Sequence, residues 1–315
     1  MTEMILEHKP VLLNEALELL RVRVGGVYVD GTLGSGNHSD EILSRLGGSG
    51  KLIGLDLDSE ALDRPRNRLN KRFGNFQSYQ DSFKNLPKIL HRLGISRFHG
   101  CLLDLGVSSE QLESPHRGFS FMREGPLDMR MDLRQTVTAE HLVNRLSAQQ
   151  LAEVFHKYGE EAQGRRIAAA IVEHRDRKPL RTTTELAQLV NRIKKHRSER
   201  IHPATKVFQA LRIEVNQELA SLETSLERIV DLTMPGGRLV VIAFHSLEDR
   251  IVKTVFRRSA GKCVCFRPRL LCKCPRVKKV TLLTRKPVTP SAEELSRNPR
   301  SRSAKLRAIE HITSN

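Results

Sequence analysis

Residues 29–39 read VDGTLGSGNHS, an acid closing an apolar run, followed by Gly34, Gly36, Asn37 and His38. A carboxylate at a strand end, then glycines at a helix start, suits a ligand of nucleotide size. Glycine lets the backbone approach closely, and the helix N-terminus offers free amides. A second acid, Asp56, closes LIGLD about 20 residues after Gly36, where a carboxylate takes ribose hydroxyls; its neighbour Asp58 is the weaker candidate. A third, Asp104, closes CLLD and leads into GVSS, so Ser108 and Ser109 follow an acidic strand end. His245 and Ser246 in FHSLEDR come directly after the run RLVVIA, again at a strand end. These positions suit a ligand of nucleotide size at the first two acids, with Asp104, Ser108, Ser109 and His245 at further strand ends. Asp30 also reads as a strand-end cap that holds the loop itself.

The groups meet only if the acids end neighbouring strands. VYVDG, a helical stretch to about Leu46 and KLIGLDLD form a β-α-β unit, and short apolar runs alternating with helical periods indicate a mainly parallel sheet. HGCLLDLGVSS (99–109) reads as a third buried strand. MPGGRLVVIAFHS reads as a glycine turn and another strand, after a helix from about Glu214 to Leu232. Between them, residues 136–198 carry apolar residues at helical spacing behind Thr and Ser N-caps. The expected architecture is α/β: a Rossmann-like sheet from residues 1–111 and 213–315, with a helical domain, 112–212, inserted. The segment after Val252, basic and rich in Pro and Cys, is expected to be dominated by loops.

With 315 residues the chain can bury a sizeable core, and its 53 Lys and Arg against 36 Asp and Glu leave a net charge of +17. That excess attracts a polyanion, above all nucleic acid. Basic residues crowd the tail from Lys262 to Lys286 and from Arg297 to Arg307, and Lys194, Lys195 and Arg197 extend the footprint into the insertion. MTEMILEHKP lacks the apolar run of a secretory signal, and no stretch approaches the ~20 residues that span a bilayer. A cytoplasmic location without membrane contact is expected, and a homodimer is left open. Four of the five cysteines cluster at 263, 265, 272 and 274, unlike a secreted disulfide framework. Four thiols can complete a zinc site, but reduced surface thiols and no metal are the expectation.

A dinucleotide loop carries a third glycine that lets its helix pack closely; here Ser39 stands in that place. The Asp-x-x-x-Gly-x-Gly spacing resembles the first motif of class I methyltransferases, whose donor has no phosphate. A closer resemblance lies in HKPVLLNEAL (8–17), DGTLGSGNHS (30–39), LLDLGVSSEQL (102–112), RGFSF (117–121), GPLDMRMD (125–132), FQALRIEVNQEL (208–219), FHSLEDRIVK (244–253) and NPRSRSAKLR (298–307). Together these look like the RsmH (MraW) family, in order and over nearly the whole chain. The resemblance implies a class I methyltransferase sheet with an inserted helical domain and S-adenosylmethionine as donor. It also implies methylation of the exocyclic N4 of one cytosine in the decoding region of 16S rRNA, in the small ribosomal subunit. Carried over, the donor site falls on Gly34, Gly36, Asn37, His38, Asp56, Phe83, Asp104 and Gln111. The 36–38 backbone lies by the methionine portion, Asp56 takes the ribose, Phe83 flanks the adenine, and Asp104 and Gln111 approach from the next strand end. His38 is expected to offer its amide rather than its imidazole. The chain departs from the family at Asn37, where glycine is usual, and at Leu33, where phenylalanine is usual. Asn is among the least costly replacements if position 37 needs a positive φ.

The N4 lone pair of cytosine is delocalised into the ring, so positioning and electrostatics should dominate the transfer. Many amino-methyltransferases use an (Asp/Asn)-Pro-Pro-(Tyr/Phe) loop; this chain has Asp104-Leu-Gly-Val-Ser-Ser. Asp104 or carbonyls of that loop, with Ser108 or Ser109, are expected to accept from N4, and His245 to meet the base. Phe119 and Phe121 are candidates to stack on a base turned out of its helix. Asp128, Arg130 and Asp132 either order a loop over the site or form a salt-linked turn. Cys101, within a strand, is expected to be buried, which argues against C5 methylation and its cysteine nucleophile. The rivals are an RNA-binding assembly factor without catalysis and an NAD-dependent oxidoreductase.

Overall fold

The computed structural model describes residues 10–194, 202–265, 272 and 277–312. In chain order, α1 (Leu13–Leu20) precedes β1 (Val27–Asp30), α2 (Asn37–Leu46), β2 (Lys51–Asp56), α3 (Ser59–Arg72), β3 (Phe76–Gln80), α4 (Leu86–Arg92) and β4 (Phe98–Asp104). A run of helices follows: α5 (Ser109–Glu113), α6 (Ala139–Arg145), α7 (Ala148–Gly159), α8 (Gly164–Arg175), α9 (Thr183–Lys194) and α10 (Thr205–Asn216). The chain then gives α11 (Leu222–Leu232), β5 (Thr233–Ala243), α12 (Ser246–Ser259), β6 (Val280–Leu282), α13 (Ala292–Arg297) and β7 (Lys305–His311). Two compact units result: residues 1–106 with 220–315, and residues 107–219. These boundaries lie a few residues from the expected 111/112 and 212/213. The capping box that starts α5 and the last turn of α10 both fall within the second unit.

The first unit is built on a seven-stranded sheet in the order β3-β2-β1-β4-β5-β7-β6. Neighbours from β3 to β5 pair in parallel, and β7 runs antiparallel to both β5 and β6. The inner strands are apolar and buried on both faces, as parallel strands covered by helices must be. Cys101 is fully buried in β4. Leu33, where the family resemblance puts an aromatic ring, is 4% exposed and packs in the core with Ile42, Leu62 and Phe76.

Three expectations need correction. The helix read from Glu214 to Leu232 is two helices, because Gln217 turns left-handed (φ 49°) and ends α10. The glycine turn of MPGG lies inside β5 as a bulge: Phe98 pairs Thr233, yet Gly100 pairs Arg238. The segment after Val252 is more than loop: among the described residues it completes α12 and adds β6, α13 and β7. β7 is a buried sheet strand whose Arg307 is admitted by a bidentate ion pair with Asp249 of α12, at 2.6 and 3.2 Å.

The second unit is helical. Leu142, Leu151, Phe155, Ile167, Ile171, Leu186, Val190 and Leu211 are buried in it. Gly159 lets α7 approach the start of α10, where a Cβ would stand 2.5 Å from the Lys206 carbonyl oxygen. The GPLDMRMD segment is the salt-linked turn: Arg130 grips Asp128 and Arg134 grips Asp132, each at 2.8 Å. Buried Asn216 holds that turn, donating to the Met129 carbonyl (2.8 Å) and accepting from the Met131 amide (2.7 Å), while Met129 sits at φ 61°. Asn216→Ala should therefore cost about 2–4 kcal/mol, because two buried backbone groups lose their partner. Urea unfolding of the variant beside its parent measures it.

Candidate functional site

Three adjacent parallel strands end on an acid: β1 on Asp30, β2 on Asp56 and β4 on Asp104. They flank the point where the strand order reverses, the crevice in which open α/β sheets gather ligands.

Asp30 organises the loop after β1. It accepts from the Ser39 hydroxyl at 2.7 Å and from the Thr32 amide at 3.3 Å. Ser39 is fully buried, so the residue standing where a dinucleotide loop has its third glycine serves as an anchor for this carboxylate. Positive φ falls at Gly34 (49°) and Gly36 (74°), not at Asn37, which opens α2 in ordinary helical backbone. Gly36 is doubly constrained, since a Cβ there would meet the Pro65 ring at 2.7 Å. Arg68 of α3 braces the loop by donating to the Ser35 carbonyl (2.9 Å) and the Asn37 side chain (3.3 Å).

Asp56 accepts the Gly34 amide at 2.8 Å and the Asp58 amide at 2.9 Å. A carboxylate offers about four acceptor positions, so about two remain for a ligand. Asp58 is the buried N-cap of α3, accepting from the Glu60 amide at 3.0 Å; it is a structural acid. Burial raises both Asp30 and Asp56 to a pKa of about 6, with Asp56 adding like charge at Asp30 and Asp58 at Asp56. A carboxyl raised in the folded state holds its proton longer there than when unfolded, so its ionisation costs stability. The penalty is absent below about pH 4 and complete above about pH 6. Asp30→Asn keeps an acceptor for Ser39 and abolishes the titration. The parent should lose stability relative to this variant as pH rises through that window, read by chemical unfolding at each pH; parallel curves would contradict it.

Asp104 is the most perturbed of the three. Burial first, then the charges of Asp30 and Glu248, push its carboxyl well above the usual range. Its Oδ1 is buried with no hydrogen-bond partner among the described residues. Its amide donates to Thr32 Oγ1 at 2.6 Å, tying the end of β4 to the glycine loop. Its Oδ2 lies 3.8 Å from His38 Nδ1. The other ring nitrogen of buried His38 is 3.2 Å from the Val11 carbonyl, so that nitrogen carries the hydrogen. The His38 imidazole thus contacts Val11 and lies beside Asp104 at a separation too long for a hydrogen bond. Sequence reasoning missed Thr32, Arg68 and the electrostatic reach of Glu248; only Thr32, inside the glycine motif, left a signal.

Phe83 opens the short 3-10 turn after β3, and its Cβ lies 3.2 Å from where a Cβ on Gly31 would stand, next to the end of β1. His245 is the N-cap of α12. Its Nδ1 accepts the Glu248 amide at 3.4 Å, and Glu248 accepts the Phe244 and His245 amides at 2.8 and 3.3 Å.

Ser108, Ser109 and Gln111 belong to the second unit. Ser108 Oγ accepts the Gln111 amide (3.1 Å) and Gln111 Oε1 accepts the Ser108 amide (2.9 Å), a capping box that begins α5 at Ser109. Ser108 therefore spends one acceptor position on its own helix. Phe119 is 7% exposed, and Phe121 stacks on His202 (4.4 Å) with its ring edge-on to Phe208 (5.0 Å), so both aromatics are used within their unit rather than offered as a platform. The basic footprint is also reduced. Lys194 is buried against Glu161, Arg307 against Asp249, and Lys279 pairs with Asp231 at 2.6 Å. Lys262, Lys278, Arg285, Lys286, Arg300 and Arg302 are exposed; Lys195, Arg197 and Cys274 lie outside the described residues. Among the described residues no helix is long and apolar enough to cross a membrane.

A seven-stranded sheet in which only β7 is reversed, with a glycine loop and acids at the ends of its central strands, defines a class I methyltransferase. Sequence comparison narrows the class. A profile of the MraW methylase family matches residues 5–312, and the chain belongs to that family. Its relatives include the ribosomal RNA small subunit methyltransferase H of Carboxydothermus hydrogenoformans, 48% identical with 97% of this chain and 98% of that protein covered. Proteins of the same description from Thermomicrobium roseum (50% identical, 97% and 94% covered) and Halothermothrix orenii (44%, 98% and 99%) are similarly close.

Proposed function

We propose that this methyltransferase moves a methyl group from S-adenosylmethionine to the exocyclic N4 of a decoding-region cytosine in 16S rRNA of the small ribosomal subunit. The observation that carries the reading is the row of acids at three adjacent strand ends, in a chain whose relatives are described as ribosomal RNA small subunit methyltransferases. Those residues fit a cationic donor: raised buried carboxyls are relieved by a nearby positive charge, and the open Oδ1 of Asp104 lacks a partner among the described residues. When bound, S-adenosylmethionine supplies a methyl group made electrophilic by its sulfonium.

In this reading Asp56 would use its remaining acceptor positions for ribose hydroxyls, and Phe83 would pack against the adenine. The backbone of Gly34, Gly36, Asn37 and His38 would line the methionine portion. Asp104 would accept a hydrogen bond from the cytosine amine, raising lone-pair density on N4, and would take up the proton that N4 loses when the donor's S–CH3 bond breaks and S-adenosylhomocysteine leaves. His38 flanks the Asp104 carboxyl, and His245 orients the base. The exposed basic residues of the tail meet the RNA backbone.

Isothermal titration of the purified chain with S-adenosylmethionine, S-adenosylhomocysteine and NAD tests the donor assignment. Saturable binding of the first two and none of NAD is expected. NAD binding in their place would favour an oxidoreductase, and RNA binding without either sulfur ligand an assembly factor.

A further inference from the structure

The loop between α12 and β6 is closed at its base, where Ala260 bridges Lys278 and the Lys279 amide donates to the Ser259 carbonyl at 2.7 Å. Beside that base Lys262 is exposed and Val277 is 65% exposed. Yet the Cys263 sulfur lies 3.3 Å from that of Cys265 and 3.2 Å from that of Cys272, and the three form a group able to hold a metal ion. Three thiols spread over nine residues converge to one point here, which calls for a cause. The separations of Cys263 from the other two exceed the ~2.05 Å of a disulfide.

We infer that Cys263, Cys265 and Cys272 are ligands of a structural zinc ion that staples this loop, reversing the expectation of reduced surface thiols. Thiolates about 2.3 Å from tetrahedral zinc stand about 3.8 Å apart, so the sulfurs need move outward by only about half an ångström. Binding is a simple exchange in which each coordinating thiol gives up its proton to solvent and no electron is transferred. The cluster is all sulfur, which selects zinc over the oxygen-seeking magnesium and calcium. Lys262 and Lys278, adjacent in sequence to the loop and exposed, would offset the negative charge of a zinc-thiolate centre.

The test uses the full chain, purified without chelator, desalted and assayed for metals by mass spectrometry. One zinc per chain is expected, falling below about a tenth in Cys263→Ser and in Cys272→Ser. Cobalt exchanged into the parent should give near-ultraviolet thiolate charge transfer and the visible bands of a tetrahedral site. To separate metal loss from any folding defect of the serine variants, the parent is also treated with a strong zinc chelator, which should speed tryptic cleavage within the loop about tenfold while leaving the helical circular dichroism intact. Zinc-free protein whose thiols all react at the rate of a free thiol would overturn the inference. So would a disulfide among these cysteines in the non-reduced intact mass.

Discussion

Asp104→Asn is expected to slow single-turnover methyl transfer at saturating S-adenosylmethionine by about 10²–10³-fold, the usual cost of removing one preorganised electrostatic partner. The fold should survive, since an amide in place of a carboxyl pushed up by burial, Asp30 and Glu248 removes like-charge repulsion. The pH dependence carries a second signature. Asp104 must be ionised to accept from the amine, so activity rises with pH as it loses its proton. A cationic donor beside it favours the ionised form. The rising limb of kcat/KM, which reports the free enzyme, should therefore lie at higher pH than that of kcat, and should vanish in Asp104→Asn. An unchanged rate in the variant would assign the amine to another group.

Asp56→Ala should weaken S-adenosylmethionine binding by about 10²-fold, in line with losing hydrogen bonds to a charged acceptor. Two causes are mixed in that number, because Asp56 also holds the Gly34 and Asp58 amides. A donor analogue lacking both ribose hydroxyls separates them. If Asp56 serves the ribose, the substitution costs the analogue much less than it costs S-adenosylmethionine. Equal losses would make Asp56 a loop brace alone. Calorimetry on the four combinations closes the cycle.

The strands that carry the site were legible because each is a short, continuous apolar run closed by an acid, the pattern that burial on both faces demands. β3, FQSYQ, was not, because an edge strand with a partly exposed surface has no such run. β7 was hidden by Arg307: a cation in the middle of a buried strand makes sense only once Asp249 faces it. The same division holds at the site. Asp30, Asp56 and Asp104 announce themselves by position, whereas the His38 imidazole acquires its role from Val11 and Asp104, contacts that no local spacing encodes. Phe119 and Phe121 show the converse. Their spacing suggested a stacking platform, but Phe119 is buried and Phe121 is held by His202 and Phe208.

The account is tested most directly by incubating the chain with methyl-labelled S-adenosylmethionine and small ribosomal subunits from cells lacking this modification, then mapping the labelled nucleoside by mass spectrometry. Label on N4 of a single decoding-region cytosine of 16S rRNA is the predicted result. Label on ring carbon or on ribose, or none on subunits that the protein binds tightly, would contradict it.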